Sequence, residues 1–191
     1  MWLNKYDAIT GNFVSTLFEE KDEKYIEPLV PVLFVKNNYS QFIWQSNRDG
    51  WNHLYLYDIS GKLLKQLTAG QWEVLDVKGF DAKGENLFYV STQESPITKN
   101  LYSVNLKSGK TTRLTRASGV HNTTLSSNGN YFIANFSNSG NCKTINIKEI
   151  KPGKPKNLLK AANPLHGSTP GQRSTFTIRN GQGHTLVCAE C

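Results

Sequence analysis

The sequence of 191 residues is short of several things, and each shortage excludes a class of protein. Three cysteines are too few for the disulfide framework that holds small secreted domains together. No apolar run approaches the ~18–20 residues that a membrane-spanning helix needs. The opening Met1-Trp-Leu-Asn-Lys-Tyr-Asp7 turns acidic too early for a signal peptide. No stretch sustains the i, i+3, i+4, i+7 spacing of an amphipathic helix. A P-loop, a dinucleotide fingerprint, a metalloprotease helix, a calcium loop and a G-x-S-x-G nucleophile elbow are all missing. Acidic residues are scarce in one half only. Residues 1–100 carry 10 Lys/Arg against 13 Asp/Glu, a net −3, whereas residues 101–191 carry 12 against 2, a net +10, so the overall +7 hides an asymmetry.

A basic half can signal nucleic acid. Its densest run is Lys143, Lys148, Lys151, Lys154, Lys156 and Lys160, opposed only by Glu149. No aromatic residue lies between Phe136 and Phe176 to stack on bases, and the run contains no arginine to read them. No nucleic-acid partner is therefore expected, and the lysines read as solvated residues of edge strands and turns.

What the sequence does have is aromatic residues (11%), arranged in short apolar segments separated by turn residues. Phe42-Ile-Trp-Gln-Ser46 is β-branched and aromatic, as strands are. The turn Asn47-Arg-Asp-Gly50 follows, then the strand His53-Leu-Tyr-Leu-Tyr-Asp58, with Leu54 and Leu56 on one face and Tyr55 and Tyr57 on the other. Ile59–Lys62 turns the chain into Leu63–Thr68, and Ala69-Gly70 leads to Trp72-Glu-Val-Leu-Asp-Val77. Asp81-Ala-Lys-Gly84 is the next turn.

This pattern then repeats. Leu87–Thr92 matches the strand at Phe42, Leu101–Asn105 matches Leu54–Asp58, and Ser108-Gly-Lys110 through Leu114-Thr115 matches Ser60-Gly-Lys62 through Leu67-Thr68. The offsets are 47 or 48 residues. A more worn copy runs through Ser127–Ile133, Thr144–Ile147 and Pro152–Leu159, and a partial one opens the chain at Trp2–Asp7 and Val14–Phe18. A period in the forties with about four short strands per unit is the pattern of a β-propeller blade. A β-sandwich is the competing all-β reading, and agreement of turn chemistry between the copies favours the propeller. The expected fold is all-β, about three to four blades of four-stranded antiparallel sheet over residues 1–160, forming an incomplete ring. Residues 161–175, with Pro164, Gly167, Pro170 and Gly171, read as a linker. A hairpin with the turn Asn180–Gly183 follows, in residues 176–191.

Few residues carry chemistry. Gly167-Ser-Thr-Pro-Gly171 has the wrong spacing for a nucleophile elbow. His53 and His121 sit inside repeats, where a structural role is expected. Cys188-Ala-Glu-Cys191 with His184 offers three conceivable zinc ligands or a redox pair, but the motif does not open a helix, and the plain reading of an inert tail is preferred. Cys142 is a lone thiol. Asn38, Asn122 and Asn135 head glycosylation-type triplets. No catalytic residue, cofactor or metal is assigned, and substrate-binding residues are left open.

The segment Phe42–Asp58 with Arg48-Asp-Gly-Trp51 at its turn, followed by Gln66-Leu-Thr68 and Gly70-Gln-Trp-Glu-Val74, resembles the N-terminal propeller of the dipeptidyl peptidase IV branch of the prolyl oligopeptidase family, bacterial members above all. Glu94-Ser-Pro96 ahead of Asn100–Val104 fits the next blade, and the resemblance extends over roughly residues 1–180. It implies a parent serine exopeptidase that releases dipeptides with Pro or Ala second, through a Ser–Asp–His triad in an α/β-hydrolase domain of which residues 176–191 would be the start. The propeller would shape and gate the substrate cavity and be inactive alone. The resemblance also implies a periplasmic or cell-surface location and a possible homodimer. The family grips the substrate amine with a glutamate pair on an earlier segment. Glu19-Glu20 does not match that segment and is not given the role. The loop Glu27-Pro-Leu-Val-Pro31 can face the cavity by its place in the blade. The alternative function is a non-catalytic propeller that binds protein or glycan.

Overall fold

A computed structural model describes residues 1–23, 26, 30–151, 153–164, 166–168, 174–183 and 185–190. Among them there is no helix. Sixteen strands form three four-stranded antiparallel meanders flanked by two hairpins.

The first hairpin joins β1 (Trp2–Tyr6) and β2 (Phe13–Glu19). The first sheet runs β3 (Leu33–Val35), β4 (Asn38–Ser46), β5 (His53–Asp58) and β6 (Leu63–Gln66). The second runs β7 (Val74–Phe80), β8 (Asn86–Ser91), β9 (Asn100–Asn105) and β10 (Thr111–Arg113). The third runs β11 (Val120–Leu125), β12 (Tyr131–Asn138), β13 (Asn141–Glu149) and β14 (Lys156–Lys160). The second hairpin, β15 (Ser174–Arg179) with β16 (Thr185–Glu190), pairs with no other strand among the described residues. The strands at 33–35 and 120–125 complete two of the sheets and add to the strands expected from the sequence.

The core follows from side-chain alternation. Each central strand has two apolar faces, and each face packs on a different neighbour. Leu54 and Leu56 join Ile43 and Val35 against Leu87, Tyr89, Tyr102 and Val104 of the second sheet. Tyr55 and Tyr57 join Phe42 and Trp44 against Leu3, Leu17 and Phe18 of the first hairpin. The next strand pair repeats the logic: Phe88, Val90, Leu101 and Leu114 meet Phe132 and Ala134 of the third sheet. Faces buried only by the next sheet along are what make these units blades. Burying one such side chain fully contributes about 1.5–3 kcal/mol.

The 47-residue offset is visible atom by atom. Leu54 N–H donates to Thr68 Oγ1 at 2.9 Å, and Leu101 N–H donates to Thr115 Oγ1 at 3.0 Å. Leu67 N–H bonds Leu54 O, and Leu114 N–H bonds Leu101 O, both at 2.8 Å. The threonine thus closes the end of β5 and of β9 in the same way.

Turn glycines set the spacing between sheets. Gly84 (φ +76°), in the β7–β8 turn, lies against the Lys36 carbonyl of the β3–β4 turn, where a Cβ would collide with it. Gly129 (φ +68°), in the β11–β12 turn, lies against the β7–β8 turn in its own right, with a Cβ 2.6 Å from Phe80 O. Asn37 Nδ2 adds a bond to Ala82 O at 3.2 Å. Only glycine meets both demands, a left-handed φ and backbone contact without a side chain.

Candidate functional site

The edge of the array opposite those turns carries two polar clusters, each centred on an arginine. It is built from the β4–β5 turn, the β8–β9 connection and the segments that link one sheet to the next. Arg48, in the Asn47–Gly50 turn, is the centre of one cluster. Its Nε donates to Ser46 Oγ at 3.1 Å, its Nη1 donates to Tyr57 OH at 2.7 Å, and its Nη2 pairs with the Glu20 carboxylate. The guanidinium carbon sits 4.3 Å from the Tyr55 ring centroid, a cation–π distance. Burial by itself would lower the affinity of Arg48 for its proton, but the bonds to Tyr57 and Glu20 outweigh it and raise the group above its ordinary value. Glu20 is buried, and its backbone N–H bonds Met1 O at 2.9 Å. One arginine therefore pins the chain leaving β2 to the first sheet. Beside it lies a cavity of about 220 Å³ lined by Glu19, Glu20, Ile26 and Asn47 among others.

The next sheet has a related device. Tyr102 OH donates to Glu94 Oε1 at 3.1 Å, and Arg113 pairs with Glu94 Oε2 at 3.0 Å. Arg113 also donates to Thr115 O at 2.6 Å and to Asn100 Oδ1 at 3.1 Å. In the first sheet Tyr55 and Gln66, 47 residues earlier than Tyr102 and Arg113, meet through Gln66 Nε2 at 3.3 Å, and Gln66 Nε2 also donates to Asp49 at 2.8 Å. Burial first, then the neighbouring carboxylate, raises the Tyr55 and Tyr102 hydroxyls well above the ordinary tyrosine value. Both stay protonated, so neither acts as a base.

Trp72-Glu73-Val74 joins the two sheets. Trp72 meets His53 edge-on at 4.7 Å and stacks on Tyr89 at 6.4 Å. Glu73 Oε2 accepts Asn52 N–H at 2.9 Å, and Val74 is buried. Burial pushes the Tyr89 hydroxyl up to about 12. His53 is fully buried: Nε2–H donates to Gly70 O at 2.9 Å, which leaves Nδ1 to accept from Thr68 OH at 3.1 Å. It has no capacity left for a substrate. A second cavity, of about 370 Å³, opens between β7 and β11 and is lined by the Asp76–Lys78 ion pair (2.5 Å), Lys99 and His121. His121 stacks on Phe136 and gives its Nε2–H to Ala117 O at 2.8 Å; burial lowers its proton affinity.

Residues singled out in the sequence fall as follows. Glu19 and Glu20 are not a free pair, since Glu19 meets Lys21 at 3.2 Å and Glu20 meets Arg48. Of the loop Glu27–Pro31, residues 27–29 lie outside the described residues, as do His184 and Cys191, so the Cys-x-x-Cys geometry is not described. Cys142 is exposed. Asn122 and Asn135 line the 370 Å³ cavity, while Asn38 is exposed and bonds Gln41. Among the described residues no cluster of His, Cys, Asp and Glu can hold a metal ion, and no helix is long and apolar enough to cross a membrane. The Arg48–Glu20 and Arg113–Glu94 pairs are not legible from spacing, because each joins residues about 20–30 apart across a fold.

The chemistry of this edge is that of clamps: arginines held by several partners, protonated tyrosines and histidines bonded to backbone carbonyls. It positions chain segments, and among the described residues it offers no activated nucleophile. Residues 1–142 match the family model described as the dipeptidyl peptidase IV N-terminal region. The chain belongs to that family. Dipeptidyl peptidase 4 from Arthroderma otae is 28% identical over 132 residues, 66% of this chain and 17% of that protein. A solved structure described as a dipeptidyl aminopeptidase IV, from Bacteroides ovatus, superposes with a TM-score of 0.85 at 31% identity, covering 97% of this chain and 29% of the other. Dipeptidyl peptidase 4 from Porphyromonas gingivalis shares the fold, with a TM-score of 0.83 at 23% identity over 97% of this chain and 27% of that one. This dipeptidyl peptidase IV N-terminal chain thus spans about a sixth of the curated relative and under a third of the solved chains. Its three meanders are propeller blades, and the expected all-β blade architecture holds.

Proposed function

We propose that this chain is the propeller part of a serine exopeptidase that releases Xaa-Pro or Xaa-Ala dipeptides, and that it shapes and gates the substrate cavity rather than performing the chemistry. The observation that carries the reading is the match of residues 1–142 to the dipeptidyl peptidase IV N-terminal region. In this reading residues 161–175 are the crossing between domains, and residues 176–191 begin the α/β-hydrolase domain that holds the triad. The peptide reaches the triad past the clamped edge, where Arg48 and Glu20 fix the segment entering the first sheet. A periplasmic or cell-surface location and a homodimeric parent belong to the same proposal.

Two measurements test it. The chain by itself, given an Xaa-Pro chromogenic dipeptide, is expected to give no turnover. Turnover abolished by a serine-reactive inhibitor would overturn the placement of the triad elsewhere. In the full-length peptidase, Arg48→Met is expected to raise KM several-fold with a smaller change in kcat, since it loosens the entrance and not the reacting groups. An unchanged KM would remove the gating role.

A further inference from the structure

The third sheet departs from the other two in one respect. On β13 the apolar and polar positions are reversed relative to the core: Ile145 and Ile147 alternate with Asn146 and Lys148, and it is Asn146 and Lys148 that sit opposite the inward-facing Ala134 and Phe132 of β12. A cavity of about 380 Å³ results between the end of β10 and the face of the third sheet. Leu114, Phe132, Ala134 and Pro155 give it apolar walls. Arg116, Lys148 and Lys154 give it three cations, and among the described residues no carboxylate lines it. Among the described residues none of the three cations has an acidic partner. Lys148 Nζ bonds only the Leu114 carbonyl, at 3.3 Å. Lys148 and Arg116 line the same cavity, and burial and then the charge of Arg116 lower the proton affinity of Lys148.

We infer that this cavity binds a small monocarboxylate with an apolar body. The volume lies at the lower end of the ~300–1,000 Å³ of small-molecule sites, and the combination of apolar walls with a few converging charges is the usual make-up of such sites. A carboxylate between Arg116 and Lys148 would relieve their repulsion and supply the counter-ion that the protein does not, while Phe132 and Leu114 take the tail. The three cations with no opposing carboxylate also set specificity: a ligand ammonium would meet like charge, so free amino acids and unblocked dipeptides are disfavoured. Carboxylates of this kind come from fatty acids or from N-blocked apolar residues.

The test is titration of the 191-residue chain with octanoate, N-acetyl-leucine, octanol and octylammonium, followed by calorimetry and by amide shifts at Leu114 and Ala134. Octanoate or N-acetyl-leucine is expected to bind saturably, more tightly than octanol by about tenfold or more, and to weaken as salt is added. Which of the two binds better identifies the source. Octylammonium is expected not to bind. In Lys148→Met and Arg116→Gln, checked by circular dichroism for native strand content, octanoate affinity is expected to fall about tenfold. Octanol binding as well as octanoate, or no saturable carboxylate binding, overturns the inference, and this comparison uses the unaltered chain and so decides even if a variant does not fold. Undiminished binding in both folded variants would also overturn it. None of these results bears on the peptidase reading, which is tested by turnover.

Discussion

The contact between the first and second sheets and the contact between the second and third are built on the same repeat, yet they are filled differently. The first holds twelve buried residues with Trp72, Tyr89 and Tyr102 stacked through its middle, and its cavity of about 480 Å³ is confined to the turn end, between Lys36, Gln41, Lys83 and Lys107. The second holds six, flanked on two sides by cavities of about 370 and 380 Å³. His121 Nδ1 and Thr123 Oγ1 are buried there without a protein partner among the described residues. Period and strand order are thus separable from packing. A repeat fixes where the sheets go, and the residues chosen for the facing positions decide whether the gap becomes core or becomes a site.

The largest expected effect comes from cutting into the better-filled contact. Leu87, fully buried between the first two sheets, should cost about 2–5 kcal/mol when changed to Ala, whereas Leu114→Ala, beside an existing cavity, should cost near the low end of that range or less. Urea denaturation of both variants measures this, and equal losses would mean that the two contacts are equally tight. A smaller difference is expected at the turns. Gly84→Ala combines a left-handed φ with collision against a neighbouring backbone and should cost more than about 2 kcal/mol. Gly50→Ala has the left-handed φ (+92°) but open space around it, and should cost about 1–2 kcal/mol. Comparable denaturation midpoints for the two would argue that Gly84 does not set the sheet spacing.

The smallest expected effect is on pH. Burial lowers the proton affinity of His121 below the ordinary 6.5, so the unfolded chain binds the extra proton more readily than the folded one. The histidine's contribution is fully present above that ordinary value and is lost as pH falls through it toward the lowered folded value. Stability between about pH 7.5 and about pH 5.5 should therefore fall less in His121→Gln than in the unaltered chain. Parallel pH dependences would place the titrating group elsewhere.

Much of this architecture is legible in the sequence because it is local. The facing pairs Leu54/Leu56 and Tyr55/Tyr57 follow from alternation alone, and the turns at Gly50, Gly61, Gly84, Gly109 and Gly129 all have the positive φ that their composition implies. The strands β3 and β11 are not legible. β3 is three residues long, in an apolar run (Val32–Val35) too short for its alternation to be read, and β11, Val-His-Asn-Thr-Thr-Leu, faces a polar cavity for part of its length and shows no apolar run. The clamps are invisible for a different reason. Arg48 reads as a turn residue, and only the fold brings it to Glu20 and Tyr57. The inward-facing Lys148 likewise reads as one more solvated lysine until the register of β12 and β13 puts it opposite Phe132.

The turn glycines carry one more consequence. At Gly84 and Gly129 the distance between neighbouring sheets is gauged by backbone against backbone, with atoms that every residue type shares. The spacing therefore does not depend on which side chains fill the interior. A lineage can exchange Leu for Phe, or trade core for a charged pocket, without the blades drifting out of step. Divergence in such a protein should accumulate between the sheets and stop at these two contacts, which makes the smallest residues in the chain the ones least open to replacement.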